Sequence, residues 1–354
     1  MVDPVDTQIL HSLQISPRAP FRLISEVAGV SEQTVARRFQ ALRRRGVVRV
    51  VGLVDPAVHG RATWVARVTC RPDRVDAIAD ALTRRSDVSH AHLATGGAEI
   101  ICTLTAPFAE NHGPDLLPRR LQRSSGVLGV DMSLLLHAFR GPWAHWTGFG
   151  PPLSAEAVAL LTAHDPRPEP RLSPDAPGFP DPHGFPDPPD FPVTPIRPKE
   201  EDQPLLAALA EDGRASHARL AELTGWSTSR VARRMETLVE AGSLYFDVDL
   251  LSQRLGWNLQ ATLWLRTPPA RLHQVGSALG RHPEVAFSGA IAGEHNLMAI
   301  VICTGTQDFY RYLTTRLAAV TGIDSYTVSI RVHHLKQATS VINQGRLVYY
   351  SGGA

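Results

Sequence analysis

Residues 18–46 read RAPFRLISEVAGVSEQTVARRFQALRRRG, and residues 214–242 read RASHARLAELTGWSTSRVARRMETLVEAG. The two stretches align without a gap at an offset of 196 positions. Arg18-Ala19 falls on Arg214-Ala215, Glu26 on Glu222, Gly29 on Gly225, Ser31 on Ser227 and Gly46 on Gly242. Val35-Ala36-Arg37-Arg38 falls on Val231-Ala232-Arg233-Arg234. A match of this length marks a duplicated domain rather than the short period of a solenoid.

Inside the block the apolar spacing predicts three helices. Ile9, Leu10 and Leu13 mark one face of a first helix beginning near Asp6, and Leu23, Ile24 and Val27 mark a second. Gly29 breaks the chain between two helices, as a helix-turn-helix requires. Ser31 has the hydroxyl to cap the third helix, whose buried stripe is Val35, Phe39 and Leu42, and Gly46 ends it. Val47–Val51 is a candidate strand or wing. The second copy repeats this with Leu205, Leu206, Leu209, Leu220, Leu223, Val231, Met235 and Leu238.

Outward from the block, each half continues with alternating strands and helices. The first gives strands Thr63–Thr69, Val88–Ala94, Glu99–Thr105 and Val127–Ala138 with helices Asp73–Arg85 and Leu116–Arg123. The second gives strands Asn258–Arg266, Val285–Ile291, Asn296–Cys303 and Ile323–Leu335 with helices Ala270–Gly280 and Gln307–Ala318. Both follow the βαββαβ order of a ferredoxin-like unit. Residues 165–198 hold 13 prolines in 34 positions, too many for a helix or a central strand, so an extended spacer is expected. A short helix is expected just before it, at Leu153–Ala163. The fold class is therefore α+β, with domains at 1–54, 60–140, 200–250 and 256–346, and a Pro-rich linker at 141–199.

The net charge of +2 hides an uneven distribution. Residues 1–50 carry eight arginines against four acids, whereas residues 200–250 carry five arginines against ten. The first copy suits a polyanion better than the second. Cys70, Cys102 and Cys303 form neither a disulfide framework nor a metal pattern, which fits a reducing cytoplasm. No signal segment opens the chain and no long apolar run is present, so no membrane association is expected. There is no phosphate-binding loop, dinucleotide fingerprint or nucleophile elbow. His90, His92, His333 and His334 lack ligand spacing with carboxylates or thiols, so neither a metal nor a cofactor is expected.

The third helix is the candidate reader of double-stranded DNA. With its apolar stripe inward, Ser31, Glu32, Gln33, Thr34, Arg37 and Arg38 face outward. Gln pairs with adenine and Arg with guanine through two bonds in the major groove. Arg43, Arg44 and Arg45 would lie near phosphates, adding affinity without sequence choice. The matching residues of the second copy are Ser227, Thr228, Ser229, Arg230, Arg233 and Arg234, but the basic end becomes Val239-Glu240-Ala241. The hairpin loops are candidates for a small effector: Thr95, Gly96, Gly97 and Glu99 in the first half, and Gly293, Glu294 and Asn296 in the second. Glycines admit an anion to backbone N–H groups, and an acid holds an ammonium group, a pairing suited to an amino acid.

These residues together resemble the Lrp/AsnC (feast/famine) transcription regulators. The likeness rests on Asp6-x-x-Ile9-Leu10, on Glu26-Val27-Ala28-Gly29-Val30-Ser31, and on Val35-x-x-Arg38-x-x-x-Leu42-x-x-x-Gly46-Val47-Val48, continuing through Asp55-Pro56 and Gly60. It implies winged helix-turn-helix domains, each followed by a ferredoxin-like (RAM-type) effector and oligomerisation domain. Two units in one chain look like a covalent pseudo-dimer, whose homodimer would be a pseudo-tetramer. The family's effector loop commonly reads Gly-Asp-x-Asp; each copy here keeps one acid of the two, Glu99 and Glu294. The competing implication is an enzyme similar to the sirohaem decarboxylases, which share both domains and occur as tandem fusions. This chain lacks the Asn-Tyr-x-Arg-Glu type of segment associated with them, and Glu294-His295-Asn296-Leu297 is a partial echo.

Overall fold

A computed structural model describes residues 3–107, 121, 123–140, 146–164 and 196–350. The first helix-turn-helix head comprises α1 (Pro4–Ile15), α2 (Phe21–Ala28) and α3 (Glu32–Arg44), followed by strand β1 (Val48–Val54). Asp3 caps α1 by accepting from Val5 and Asp6 N–H groups, and Pro4 occupies the first turn, where no N–H is needed. Gly29 between α2 and α3 has φ +64°, and Gly225 at the same place in the second head has φ +70°. Both lie in the left-handed region that favours glycine, which is why both copies keep it.

The first sheet domain holds β2 (Arg61–Cys70), α4 (Val75–Thr83), β3 (Val88–Ala94), β4 (Glu99–Pro107) and β5 (Val127–Arg140). Most of the helix expected at Leu116–Arg123 lies outside the described residues, though Leu121 is buried in this domain's core. A helix α5 (Ala155–His164) follows. The second head is α6 (Gln203–Glu211), α7 (His217–Thr224), α8 (Thr228–Glu240) and β6 (Leu244–Leu250). The second sheet domain contains β7 (Leu259–Arg266), α9 (Leu272–Gly280), β8 (Val285–Ile291), β9 (Leu297–Cys303), α10 (Thr306–Tyr312), β10 (Ser325–Ile330) and β11 (His333–Gln337). A terminal hairpin, β12 (Ser340–Asn343) and β13 (Arg346–Tyr349), completes the described chain.

The strand or wing expected after the third helix is the strand β1, paired antiparallel with β6, so the two heads share a ribbon; two other expectations need correction. Val51 faces Asp247 in that ribbon. These are the same position in the two copies, 196 apart, so a pseudo-twofold axis passes between them. The expected linker also starts too early at 141. Trp146, Phe149 and Leu161 are buried with α1 in the first head's core, and the proline-dense part, 165–195, lies outside the described residues. Finally, the last strand of the second half is broken, with β10 on β7 and β11 on β3 of the first half.

That break has a counterpart. The first part of β5 pairs with β2, and its end, from Leu135, pairs with β8 of the second half. Each half's last strand therefore begins in its own sheet and ends in the other's. The resulting sheet runs β10-β7-β9-β8-β5-β2-β4-β3-β11-β12-β13. On the helix-covered faces the cores are Ala66, Val68, Leu82, Ile100 and Leu104 in one half, and Leu263, Leu279, Leu297, Val301 and Phe309 in the other. Between the halves, Val65, Ala94, Ile101, Trp264, Ile291 and Met298 form a shared core. Burying apolar surface of both copies in one seam makes neither sheet domain complete alone.

The heads are joined by more than the ribbon. Arg18 donates to the carbonyls of Gly213 and Ala215, and Arg214 donates to those of Pro17 and Ala19. Arg214 also lies 4.6 Å from the centre of the Phe21 ring. The exchange is reciprocal about the pseudo-twofold axis, which accounts for the repeated Arg-Ala pair. The terminal hairpin then straps the ribbon to the sheets. Arg49 Nη1 donates to Ser340 Oγ at 2.6 Å, and Ser340 Oγ donates to Asp249 Oδ2 at 2.5 Å. Burial pushes the Asp249 carboxyl up to about 8.

Candidate nucleic-acid interface and effector site

In α3, the Ser31 hydroxyl accepts from Thr34 N–H at 3.2 Å, and Val35, Phe39 and Leu42 are buried as the stripe requires. Glu32, Gln33, Arg37, Arg44 and Arg45 are exposed. Thr34 is half-buried, its hydroxyl 2.9 Å from Ser31 Oγ. Arg38 does not face outward. Its Nη1 lies 2.9 Å from Asp6 Oδ1 and 3.0 Å from Asp3 Oδ1, tying the third helix to the first. Arg43 is also held, 2.8 Å from Asp212 of the second head. Both guanidiniums have carboxylate partners within the protein, Arg38 through Nη1 and Arg43 through Nη2.

The second head repeats the internal lock. Arg234 donates to both oxygens of Asp202, at 2.8 and 2.5 Å, and Asp202 is fully buried. The Arg234 bond holds that carboxyl below its usual range. Ser227 caps α8 through Arg230 N–H at 3.2 Å. Arg230 pairs with Glu201 at 2.8 Å and stacks 4.1 Å from the centre of the Trp226 ring. Thr228, Ser229 and Arg233 are exposed. Thus Arg37 and Arg233, equivalent in the repeat, are the arginines that each reading face leaves exposed and outside any ion pair among the described residues.

The effector loops are occupied differently from the expectation. Glu99 Oε1 accepts from Arg67 Nε and Nη2 at 3.0 and 2.8 Å, and Oε2 accepts from Ser329 Oγ of the second half at 3.0 Å. Ser329 Oγ accepts from Trp264 Nε1 at 3.1 Å, and Arg67 stacks on the Trp264 ring. Glu99 therefore stitches the two halves together and is not free to hold an ammonium group. In the second loop, Asn296 is locked to the Thr267 backbone by bonds of 2.7 and 3.1 Å, while Glu294 is exposed. Gly96 and Gly97 have φ +83° and +69°, and Gly293 has φ +145°. Thr95 opens the first loop.

Beside the first loop lies an open depression of about 330 Å³, lined by Arg67, Thr69, Glu99, Gly129, Val130 and Asp131. Asp131 is exposed and faces Arg67 across the β2–β5 ladder. Sequence reasoning missed Arg67 and Asp131. Their meeting depends on cross-strand register, which no local signal prints.

The structure also gathers histidines that sequence spacing left apart. His92 and His334 are cross-strand partners in the β3–β11 ladder. Burial, together with Arg331 and Lys336 nearby, pushes His90 down to about 4; His92 and His334 are driven well below their usual value by burial and Arg331. These rings are neutral at pH 7. Among the described residues no group of three or more His, Cys, Asp or Glu could hold a metal, and no helix is long and apolar enough to cross a membrane. Cys70, Cys102 and Cys303 are buried free thiols.

Comparison with known proteins places this geometry. The profile of the AsnC-type helix-turn-helix domain matches residues 2–43 and again 200–239. That of the Lrp/AsnC ligand binding domain matches residues 260–341. An uncharacterised HTH-type transcriptional regulator of Pyrococcus horikoshii is 29% identical over 132 residues, 37% of this chain and 84% of its own length. The HTH-type transcriptional regulator LrpA of Pyrococcus abyssi is 26% identical over 142 residues, 40% of this chain and all of its own. These relatives span one half of the present architecture. The crystal structure of the siroheme decarboxylase NirDL follows both halves, with a TM-score of 0.58 at 14% identity, covering 97% of this chain and 94% of that one. At that identity the likeness carries the fold and not the activity. The repeat at 18–46 and 214–242 is the AsnC-type domain written twice, and with the ligand binding domain after the second copy the chain carries the domains of the Lrp/AsnC transcription regulators in a tandem-duplicated form.

Proposed function

We propose that the chain is a sequence-specific DNA-binding transcription regulator, acting by binding and not by catalysis, in which the first head is the principal reader. The observation that carries this is the surface of α3. It presents Gln33 and Arg37 one turn apart, exposed, with Arg44 and Arg45 beyond them and outside any ion pair among the described residues. Gln33 and Arg37 suit base edges, and Arg45 adds charge without sequence choice. Glu32 and Thr34 flank the reading edge. In the second head Thr228, Ser229 and Arg233 supply a weaker version, and Arg230 is drawn aside by Glu201.

The pseudo-twofold axis between the heads suits two half-sites in successive major grooves, about 34 Å apart. A homodimer would present four heads as a pseudo-tetramer in the cytoplasm. The effector is an amino acid seated in the depression beside the first loop. Asp131 offers its exposed carboxylate to the ammonium group, and Arg67, whose Nε and Nη2 are bonded to Glu99, has Nη1 left for the carboxylate. Fluorescence anisotropy with fragments from the chain's own upstream region tests the DNA reading. Saturable binding that survives competitor DNA supports it; binding no better than competitor sinks it. Calorimetry against a panel of amino acids tests the effector, and heat that persists unchanged in Asp131→Asn would contradict the site.

A further inference from the structure

An open cleft of about 280 Å³ lies where the end of α3 meets the second half of the chain, and it is lined by Arg44, Arg45, Val47, Arg254 and Arg346. The four arginines come from three separate elements. Arg44 and Arg45 end the first head's third helix, Arg254 sits in the turn after β6, and Arg346 opens β13. No acid lines the cleft, and none of the four is in an ion pair among the described residues. All four are exposed.

The arrangement is built rather than incidental. Arg254 Nε donates to the Gly345 carbonyl at 2.9 Å, and Arg346 donates to the Arg44 carbonyl. The hairpin seats on the helix end through Leu347 N–H to the Gly46 carbonyl at 2.9 Å. A Cβ on Gly46 would stand 2.7 Å from that of Arg346, so only glycine allows the approach. Helix C-terminal carbonyls repel anions, and here one of them is already taken by Arg346. The second head is an internal control: its equivalent positions are Glu240 and Ala241, and the cleft has no counterpart built from arginine there.

Like charges gathered without a counter-charge call for an anion, and planar guanidinium forks match phosphate oxygens. We propose that this cleft binds a phosphate group. The source is either a free phosphate-bearing metabolite or the backbone of bound DNA, the second resting on the DNA-binding reading above. A phosphate here would touch the reading head, the second-half turn and the terminal hairpin at once, fixing the first head against the sheets.

The experiment uses the full chain, Arg254→Gln and Arg45→Ala. Arg45 makes no side-chain hydrogen bond among the described residues, so its loss leaves the hairpin seated. Thermal unfolding verifies that both variants fold. If the source is free, pyrophosphate binds in calorimetry, each variant weakens it at least ~10-fold, and the salt slope of DNA binding is unchanged. If the source is DNA, pyrophosphate gives no heat, and each substitution lowers the slope of log affinity against log salt by about 1. No pyrophosphate binding together with an unchanged slope in both variants overturns the proposal. Should the wild-type chain bind no DNA, the regulator reading falls and calorimetry alone decides the cleft.

Discussion

The two heads share a backbone plan and differ in what they show to solvent. Each has a serine cap, a left-handed glycine before the third helix, and an arginine turned inward to an acid at the start of the first helix: Arg38 to Asp6 and Asp3, Arg234 to Asp202. The first head exposes Gln33, Arg37, Arg44 and Arg45. The second puts Ser229, Arg233, Glu240 and Ala241 at those places. Identity between the copies thus marks what the fold needs, Arg37 and Arg233 excepted, and difference marks what the surface does. The repeated Val-Ala-Arg-Arg holds one arginine of each kind.

The comparison can be broken at the inward pair first. Asp202 is fully buried whereas Asp6 retains partial exposure, so the same substitution should not cost the same in both heads. Arg234→Ala strands a buried carboxylate and should cost about 3–5 kcal/mol, while Arg38→Ala should cost about 1–2 kcal/mol. Urea unfolding of the two variants measures this, and equal losses would show that burial is not what separates them.

The junction between heads comes next. Burial and the nearby Arg18 push Arg214 down to about 10, and its two carbonyl bonds and ring contacts hold the first head. Arg214→Ala should destabilise the chain by about 2–3 kcal/mol, and Arg18→Ala by a similar amount if the exchange is truly reciprocal. A near-silent Arg18→Ala would break that symmetry.

Acid should separate the heads more gently. His11 of the first head is buried against Phe149 and pushed down to about 4 by burial, while the second head has Ala207 at that position. A histidine kept neutral in the fold and titrating near 6.5 when unfolded leaves stability intact above about pH 6.5 and erodes it below. By pH 5 the loss from His11 is roughly 2 kcal/mol. His90, His92 and His334 act in the same direction at the seam. His11→Phe should shrink the fall in melting temperature between pH 7 and pH 5. An undiminished fall would assign the acid sensitivity to the seam alone.

Much of this was legible in the chain. The third helices, their caps and their buried stripes followed from Ser31, Val35, Phe39, Leu42 and their repeats, because helical periodicity and capping are local. Strand Val88–Ala94 matched residue for residue for the same reason. The inward turn of Arg38 was not legible. An arginine at that spacing is equally placed for DNA or for an acid, and the decision rests on Asp3 and Asp6, some thirty residues away in another helix. Glu99 was likewise read as a ligand for ammonium, but Ser329, which claims one of its oxygens, is more than two hundred residues distant. The ribbon between β1 and β6 was hidden because a single copy of the repeat cannot show what its strand pairs with. The terminal hairpin went unread because the first half offers no repeat of it.

The central claim is that the first head reads DNA and the second mainly supports it. Fluorescence anisotropy of Arg37→Ala and Arg233→Ala on one operator fragment, at matched salt, tests it most directly. Arg37 and Arg233 are equivalent, exposed and outside ion pairs among the described residues, so neither substitution disturbs the folds being compared. The account predicts a loss of about 10- to 100-fold for Arg37→Ala, as for one two-bond base contact, and less than about 3-fold for Arg233→Ala. Equal losses, or a greater loss from Arg233→Ala, would contradict it.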